Sequence, residues 1–202
     1  MGTMEMVRNR VAQFPAGKPF SIKECMQCGK RAAVDQAFAR LVRTGLLSRP
    51  ARGVYVRPKT HPLAGELPPD PFEVAGVIAG QYGGIVQVHG AEAARRLGFS
   101  TQVPVRPIFQ TNGPGRRFRI GQMEITLRHV SPRKLALTGS MAGVALAALW
   151  HLGRERVTPG TIEQVRKRLV PAEFEKLRSA AGVMPGWMLD AFAAHEGKLT
   201  DE

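Results

Sequence analysis

Apolar positions Val34, Phe38, Leu41 and Val42 recur at i, i+4, i+7 and i+8, which is one stripe of an α-helix. The spacing predicts a thirteen-residue helical pattern from Arg31 that ends at Gly45. Two β-type runs follow, Leu46–Arg49 and Val54–Arg57, around the turn Pro50-Ala51-Arg52-Gly53. Upstream, Met6, Val7, Val11 and Phe14 give a first helix over 3–13 its apolar side, and Pro15-Ala16-Gly17 stops it. Pro19-Phe20 reads as a brief extended piece. Ser21 is an N-cap for a short helix from Ile22 to about Gln27, with Glu24 placed for a capping box. Helix, strand, helix, helix, hairpin is the order of a winged helix-turn-helix.

Beyond this unit the pattern changes. Residues 61–70, HPLAGELPPD, hold three prolines and no periodicity, and read as a linker. A helix is predicted from Pro71 to about Gln81, a strand over Ile85–Val88 and a short helix over Ala91–Leu97. A β region then runs through Val103–Thr111, Arg116–Ile120 and Met123–Val130, with turns at Gly113-Pro114-Gly115 and Gly121-Gln122. Met123, Ile125, Leu127 and His129 alternate with Glu124, Thr126 and Arg128, so the last strand has two faces. Helices are predicted over Met141–Leu152, Thr161–Leu169, Ala172–Ala180 and Gly186–His195. The expected class is α+β. It comprises a winged-helix domain over 1–60, a linker over 61–70, and a mixed α/β domain over 71–202 with a small antiparallel sheet and a helical C-terminal part.

Charge sharpens the reading. The 202 residues carry a net charge of +13. Residues 1–60 hold twelve Lys/Arg against three acids, a net of +9, and the rest of the chain holds only +4. Such concentration points to a nucleic-acid footprint in the N-terminal part. A hydrophobic content of 44% with 22% charged residues is globular. No apolar run reaches the length of a bilayer span, and MGTMEMVRNRV lacks the form of a signal peptide, so a cytoplasmic protein without membrane partners is expected. Cys25 and Cys28 are the only cysteines. Two thiols cannot complete a tetrahedral zinc site, and ordinary thiols in a short helix are expected, with no metal or cofactor.

Candidate contacts follow from position. Gln36, Arg40 and Arg43 share a second face of the predicted helix, with Lys30 and Arg31 at its N-terminal end. The N-terminal half of such a helix reaches base edges most easily, which makes Arg31 and Gln36 readers and Arg40 and Arg43 phosphate clamps. Asp35 either pairs with a neighbouring arginine or accepts from a cytosine amine. Arg49 and Arg52 suit the minor groove or its flanking phosphates. Tyr55 is expected to pack, and Arg57 and Lys59 to meet phosphates at most. Arg116, Arg117, Arg119 and Arg128 form a second basic surface. It either extends the DNA footprint, binds RNA, meets an acidic protein, or is a solvated sheet face.

An enzyme is not expected. There is no Gly-rich phosphate loop, no paired metal-ligand histidines and no GxSxG elbow. Glu124 stands in a nuclease-like place, but Thr126 occupies the position where such sites carry lysine. The histidines (61, 89, 129, 151, 195) are scattered, and His89, His129 and His151 read as hydrogen-bonding core or interface groups. Trp150 and Trp187 read as anchors of helical packing.

Three blocks then carry a resemblance: RAAVDQAFARLVRTGLLSRPARGVYVRPK at 31–59, VHGAEAARRLGFSTQVPVRPIFQTNGPGRRFRIG at 88–121, and PGWM at 185–188. In this order the chain resembles the AbiEi-type antitoxins of bacterial abortive-infection, type IV, toxin–antitoxin systems. The resemblance implies a winged-helix autorepressor that binds inverted repeats in double-stranded promoter DNA, with two copies on one symmetric site. It also implies an antitoxin that counteracts a nucleotidyltransferase toxin without a stable complex between them. The alternative from the residues is a winged-helix transcriptional regulator whose C-terminal domain senses a small ligand.

Overall fold

In a computed structural model, which describes residues 2–103 and 105–200 (the side chains of 198–200 aside), the apolar stripes become the packed faces of a mixed α and β chain. Position 104 of the expected β region, and 201–202 at the end of the expected C-terminal domain, lie outside the described residues. The chain divides into two units: residues up to Gly84 together with Arg116–Thr126, and Ile85–Gly115 together with the chain from Leu127 onward. The class is α+β, with small antiparallel sheets and several helices.

In the first unit, α1 (Thr3–Ala12) buries Val7 and Val11. Strand β1 (Pro19–Ser21) leads into a 3-10 helix, Ile22–Cys28. Its capping box forms as expected, with the Ser21 amide donating to Glu24 Oε1 at 2.9 Å. Helix α2 (Arg31–Arg43) buries Val34, Ala37, Phe38 and Leu41. The hairpin is β2 (Ser48–Ala51) and β3 (Val54–Val56), so its turn narrows to Arg52-Gly53, with Gly53 at φ +75°. That left-handed angle is why glycine stands there. Strand order is β1-β3-β2, with β3 central and antiparallel to both neighbours. Phe38 joins the layers: its ring is 4.6 Å from Tyr55 edge-on and 6.3 Å from Phe20.

The linker expected over 61–70 overlaps a second hairpin, β4 (Lys59–His61) with β5 (Gly65–Leu67). Helix α3 (Pro71–Gly80) follows, its N-cap Asp70 accepting from the Phe72 amide at 2.7 Å. It packs on β1 and β3. The first unit therefore extends past residue 60.

In the second unit, β6 (Val86–Val88) precedes α4 (Gly90–Arg96) and pairs antiparallel with β7 (Ile108–Thr111). The expected strand over 103–111 shrinks to its last four residues. The chain then passes through the first unit as β8 (Arg116–Ile120) and the start of β9 (Met123–His129), and β9 re-enters the second unit at Leu127. A 3-10 helix, Pro132–Leu135, leads to α5 (Met141–Leu152), buried along most of its length. Of the helices that follow, α7 (Pro171–Arg178) packs on α5, and α6 (Pro159–Arg168) packs on α8 (Gly186–Thr200). Gly90 lets α4 meet α5 closely. A Cβ there would collide with His151 Cβ and stand 2.8 Å from the Ala147 carbonyl oxygen.

Candidate nucleic-acid interface

Helix α2 divides its circumference into three sectors, because each residue turns it by about 100°. Val34, Ala37, Phe38 and Leu41 face the core. Arg31, Asp35, Ala39 and Val42 line a concavity of about 820 Å³ within the first unit. Gln36, Arg40 and Arg43 point further round, all exposed, with exposed Lys30 at the N-cap. The expected reading group is thus split. Arg31 belongs to the concavity, and the other four candidates of this helix form a solvent-facing strip.

The concavity gathers charge from four elements. Arg31 of α2, Arg49 and Arg52 of the hairpin, Lys23 of the 3-10 helix and Arg116 of β8 all line it, with Asp35 as its acid. Arg31 Nε donates to Asp35 Oδ2 at 2.9 Å, which gives Asp35 the arginine partner that the sequence left open. Arg49 Cζ stands 5.8 Å from the ring of Tyr55, itself buried in the hairpin as expected. Arg116 Cζ is 4.4 Å from the ring of Tyr82. Hydrogen bonding and charge from Arg116, then the charges of Arg52 and Lys23, hold the Tyr82 phenol below the ordinary tyrosine range. The field in this hollow is positive.

The turn that carries Arg52 is held in place. The Gly53 carbonyl accepts from Gln81 Nε2 at 3.1 Å and from the Ile22 amide at 3.4 Å. Lys23 Nζ in turn donates to the Gln81 carbonyl at 2.9 Å. Lys23, Gln81 and Tyr82 escaped sequence reasoning. Gln81 and Tyr82 stand at the end of α3, and nothing local ties them to a turn 28 residues earlier.

Other expectations change. The second basic surface is divided between the units, with Arg116, Arg117 and Arg119 in the first and Arg128 in the second. Pleating of β8 leaves Arg117 and Arg119 exposed on the face opposite Arg116, because alternate residues of a strand point to opposite sides. Arg128 lines a separate cavity inside the second unit. Arg57 has a structural task within the unit: its Nη1 donates to the Ala12 and Phe14 carbonyls at 2.8 and 2.7 Å, closing the end of α1. Cys25 and Cys28 are both buried as free thiols, and burial, with Cys28 next, pushes Cys25 up to about 11. Such a thiol is inert at neutral pH.

Of the scattered histidines, His89 caps α4 by accepting from the Ala91 amide at 3.2 Å, and His129 Nδ1 meets the Gly113 carbonyl at 3.0 Å. His195 Nε2 pairs with Glu163 at 2.8 Å. Trp150 and Trp187 pack edge to face at 6.1 Å. Among the described residues no helix is long and apolar enough to cross a membrane, and no three His, Cys, Asp or Glu side chains are grouped to hold a metal ion.

Among curated proteins no match is found. Among solved structures the chain is similar to the RV2827C protein from Mycobacterium tuberculosis, at 17% identity and a TM-score of 0.47, with 88% of this chain and 71% of that one covered. Residues 6–177 match a family of unknown function, DUF6088, and the chain belongs to that family.

Proposed function

We propose that the first unit is a winged-helix DNA-binding module, with α2 as its reading helix and β2–β3 as its wing. The observation that carries this reading is the convergence of Lys23, Arg31, Arg49, Arg52 and Arg116 on one hollow, beside the exposed strip of Lys30, Gln36, Arg40 and Arg43. Cations from separate elements on one side of α2 match the spread of phosphates along a duplex groove, and Gln36 supplies the bidentate amide that suits adenine. The sequence blocks at 31–59, 88–121 and 185–188 support a more specific role as an antitoxin and autorepressor of a type IV toxin–antitoxin operon. In that role the protein binds inverted repeats of its own promoter as two copies and counteracts a nucleotidyltransferase toxin in the cytoplasm.

Two measurements test this. In a gel shift with the DNA upstream of its own gene, Arg40→Ala weakens binding to every sequence, and Gln36→Ala changes sequence preference. Wild-type behaviour of both variants overturns the assigned face. In co-expression with the neighbouring gene, the full chain restores growth if that neighbour is a nucleotidyltransferase toxin. A metabolic neighbour and no rescue would instead favour the ligand-responsive regulator.

A further inference from the structure

Three histidines far apart in the sequence meet in the second unit. His89, His129 and His151 line a cavity of about 370 Å³ together with Arg128, Ser131 and Lys134. This is the size of a small-ligand site. No aspartate or glutamate is among the lining residues. Nearly every polar side chain there is a cation, a potential cation or a hydroxyl.

We propose that this cavity binds a phosphoryl anion, the phosphate of a mononucleotide or the 5′-terminal phosphate of a nucleic-acid strand. The inference stands apart from the DNA-binding reading, whose residues all lie in the first unit.

The donors come from separate elements. His89 precedes α4, His151 is on α5, Arg128 and His129 end β9, Ser131 caps the following 3-10 helix and Lys134 lies within it. A tetrahedral anion needs converging donors of this kind, and a neighbouring carboxylate would repel it. The ring hydrogen bonds fix how each histidine is presented. His89 Nδ1 accepts from the Ala91 amide, so the neutral ring carries its proton on Nε2 and offers a donor there. His129 Nδ1 faces the Gly113 carbonyl and therefore bears the proton, so its Nε2 donates only when the ring is charged. The ring centroids of His89 and His151 are 5.8 Å apart, edge to face. Lys134 Nζ lies 4.9 Å from the Trp150 ring, which places the ammonium at the cavity wall.

No carboxylate lines the cavity beside these groups. Burial, then His151 and Arg128, hold His89 below the ordinary value of 6.5. Burial, then Arg156, hold His151 below it as well. His129 and Lys134 are the other titratable side chains lining the cavity. A bound anion reverses the electrostatic part of these shifts.

The experiment uses the full chain and follows histidine ring protons by NMR and tryptophan fluorescence, with inorganic phosphate, AMP, a 5′-phosphorylated trinucleotide and its 5′-hydroxyl counterpart as probes. Saturable binding is expected for the phosphate-bearing probes, with His89 and His151 titrating at higher pH in the complex. Arg128→Gln and Lys134→Gln each weaken it by about tenfold, the loss of one charge-assisted hydrogen bond. Arg49→Ala with Arg52→Ala in the first unit leaves it unchanged. Tighter binding of AMP assigns the site to a free nucleotide, and tighter binding of the phosphorylated trinucleotide assigns it to a strand end. Equal binding of the 5′-hydroxyl trinucleotide, no saturation by any probe, or full binding by both folded cavity variants overturns the proposal.

Discussion

Asp35→Asn separates two roles of one carboxylate on α2. Arg31 and Asp35 form an i,i+4 pair at 2.9 Å whose side chains keep 65% and 46% of their exposure, so solvent screens it. A pair of this kind contributes about 0.3–0.5 kcal/mol. A phosphate that recruits Arg31 must displace Asp35 first, and removing that competition amounts to about a two-fold gain in affinity. Loss of a negative charge in the hollow acts in the same direction. If the freed Arg31 reaches one further phosphate, the slope of log K against log salt steepens by about 0.9, so the variant loses about 3.5-fold more affinity than wild type between about 50 and 200 mM salt. Fluorescence anisotropy on the promoter duplex and on a scrambled duplex, across a salt series, reads both quantities. The expected result is tighter binding of both duplexes at low salt. Weaker binding of the promoter alone means that Asp35 accepts from a base, the other role its position allows. Wild-type behaviour on both duplexes at every salt refutes the placement of this sector against DNA.

Three further outcomes follow from the fold. Gly53→Ala forces an alanine to φ +75° with its Cβ 3.1 Å from Gln81 Nε2; a stability loss of about 1–2 kcal/mol is expected by chemical denaturation. Arg57→Met removes both hydrogen bonds to the end of α1. It costs about 2 kcal/mol, a Tm lower by about 4–8 °C, while the salt slope of DNA binding stays at its wild-type value. Arg95 and Arg96 hold Glu92 down to about 2 from an ordinary 4.5. A depressed carboxylate stabilises the fold above its unfolded value and loses that contribution as pH falls from about 4.5 toward 2, so Glu92→Gln should flatten acid unfolding by circular dichroism in that window.

Local signals made much of the fold legible. The stripe of α2, the Ser21–Glu24 capping box and the Gly53 turn are each set by residues within a few positions of one another, and each forms where expected. Strand ends were less legible. The run 103–111 yields a strand only at 108–111, because Val103 and Val105 are exposed and nothing within the run itself marks which residues a partner strand will pair. The site was legible residue by residue but not as a grouping. Arg116 to Arg119 look like one cluster in sequence, yet a strand sends neighbours to opposite faces. His89, His129 and His151 look unrelated, yet β9, α4 and α5 bring them to one wall. Both differences have the same cause: spacing along the chain predicts a face, and only packing decides which faces meet.

On the DNA-binding reading, the division of α2 also divides affinity from selectivity. Arg40 and Arg43 form no ion pair among the described residues and face solvent, so they are available to any phosphate without a change in the protein. Their contribution is electrostatic, falls with salt and is blind to sequence. Four cations of the hollow are engaged before DNA arrives: Arg31 with Asp35, Lys23 with the Gln81 carbonyl, Arg49 against Tyr55 and Arg116 against Tyr82. Each must exchange a protein partner for a nucleic-acid one, which is favourable only where the duplex offers matching geometry. Non-cognate DNA therefore draws least on these four. A cognate groove recruits them as well, and the difference between the two salt slopes counts those that exchange partners.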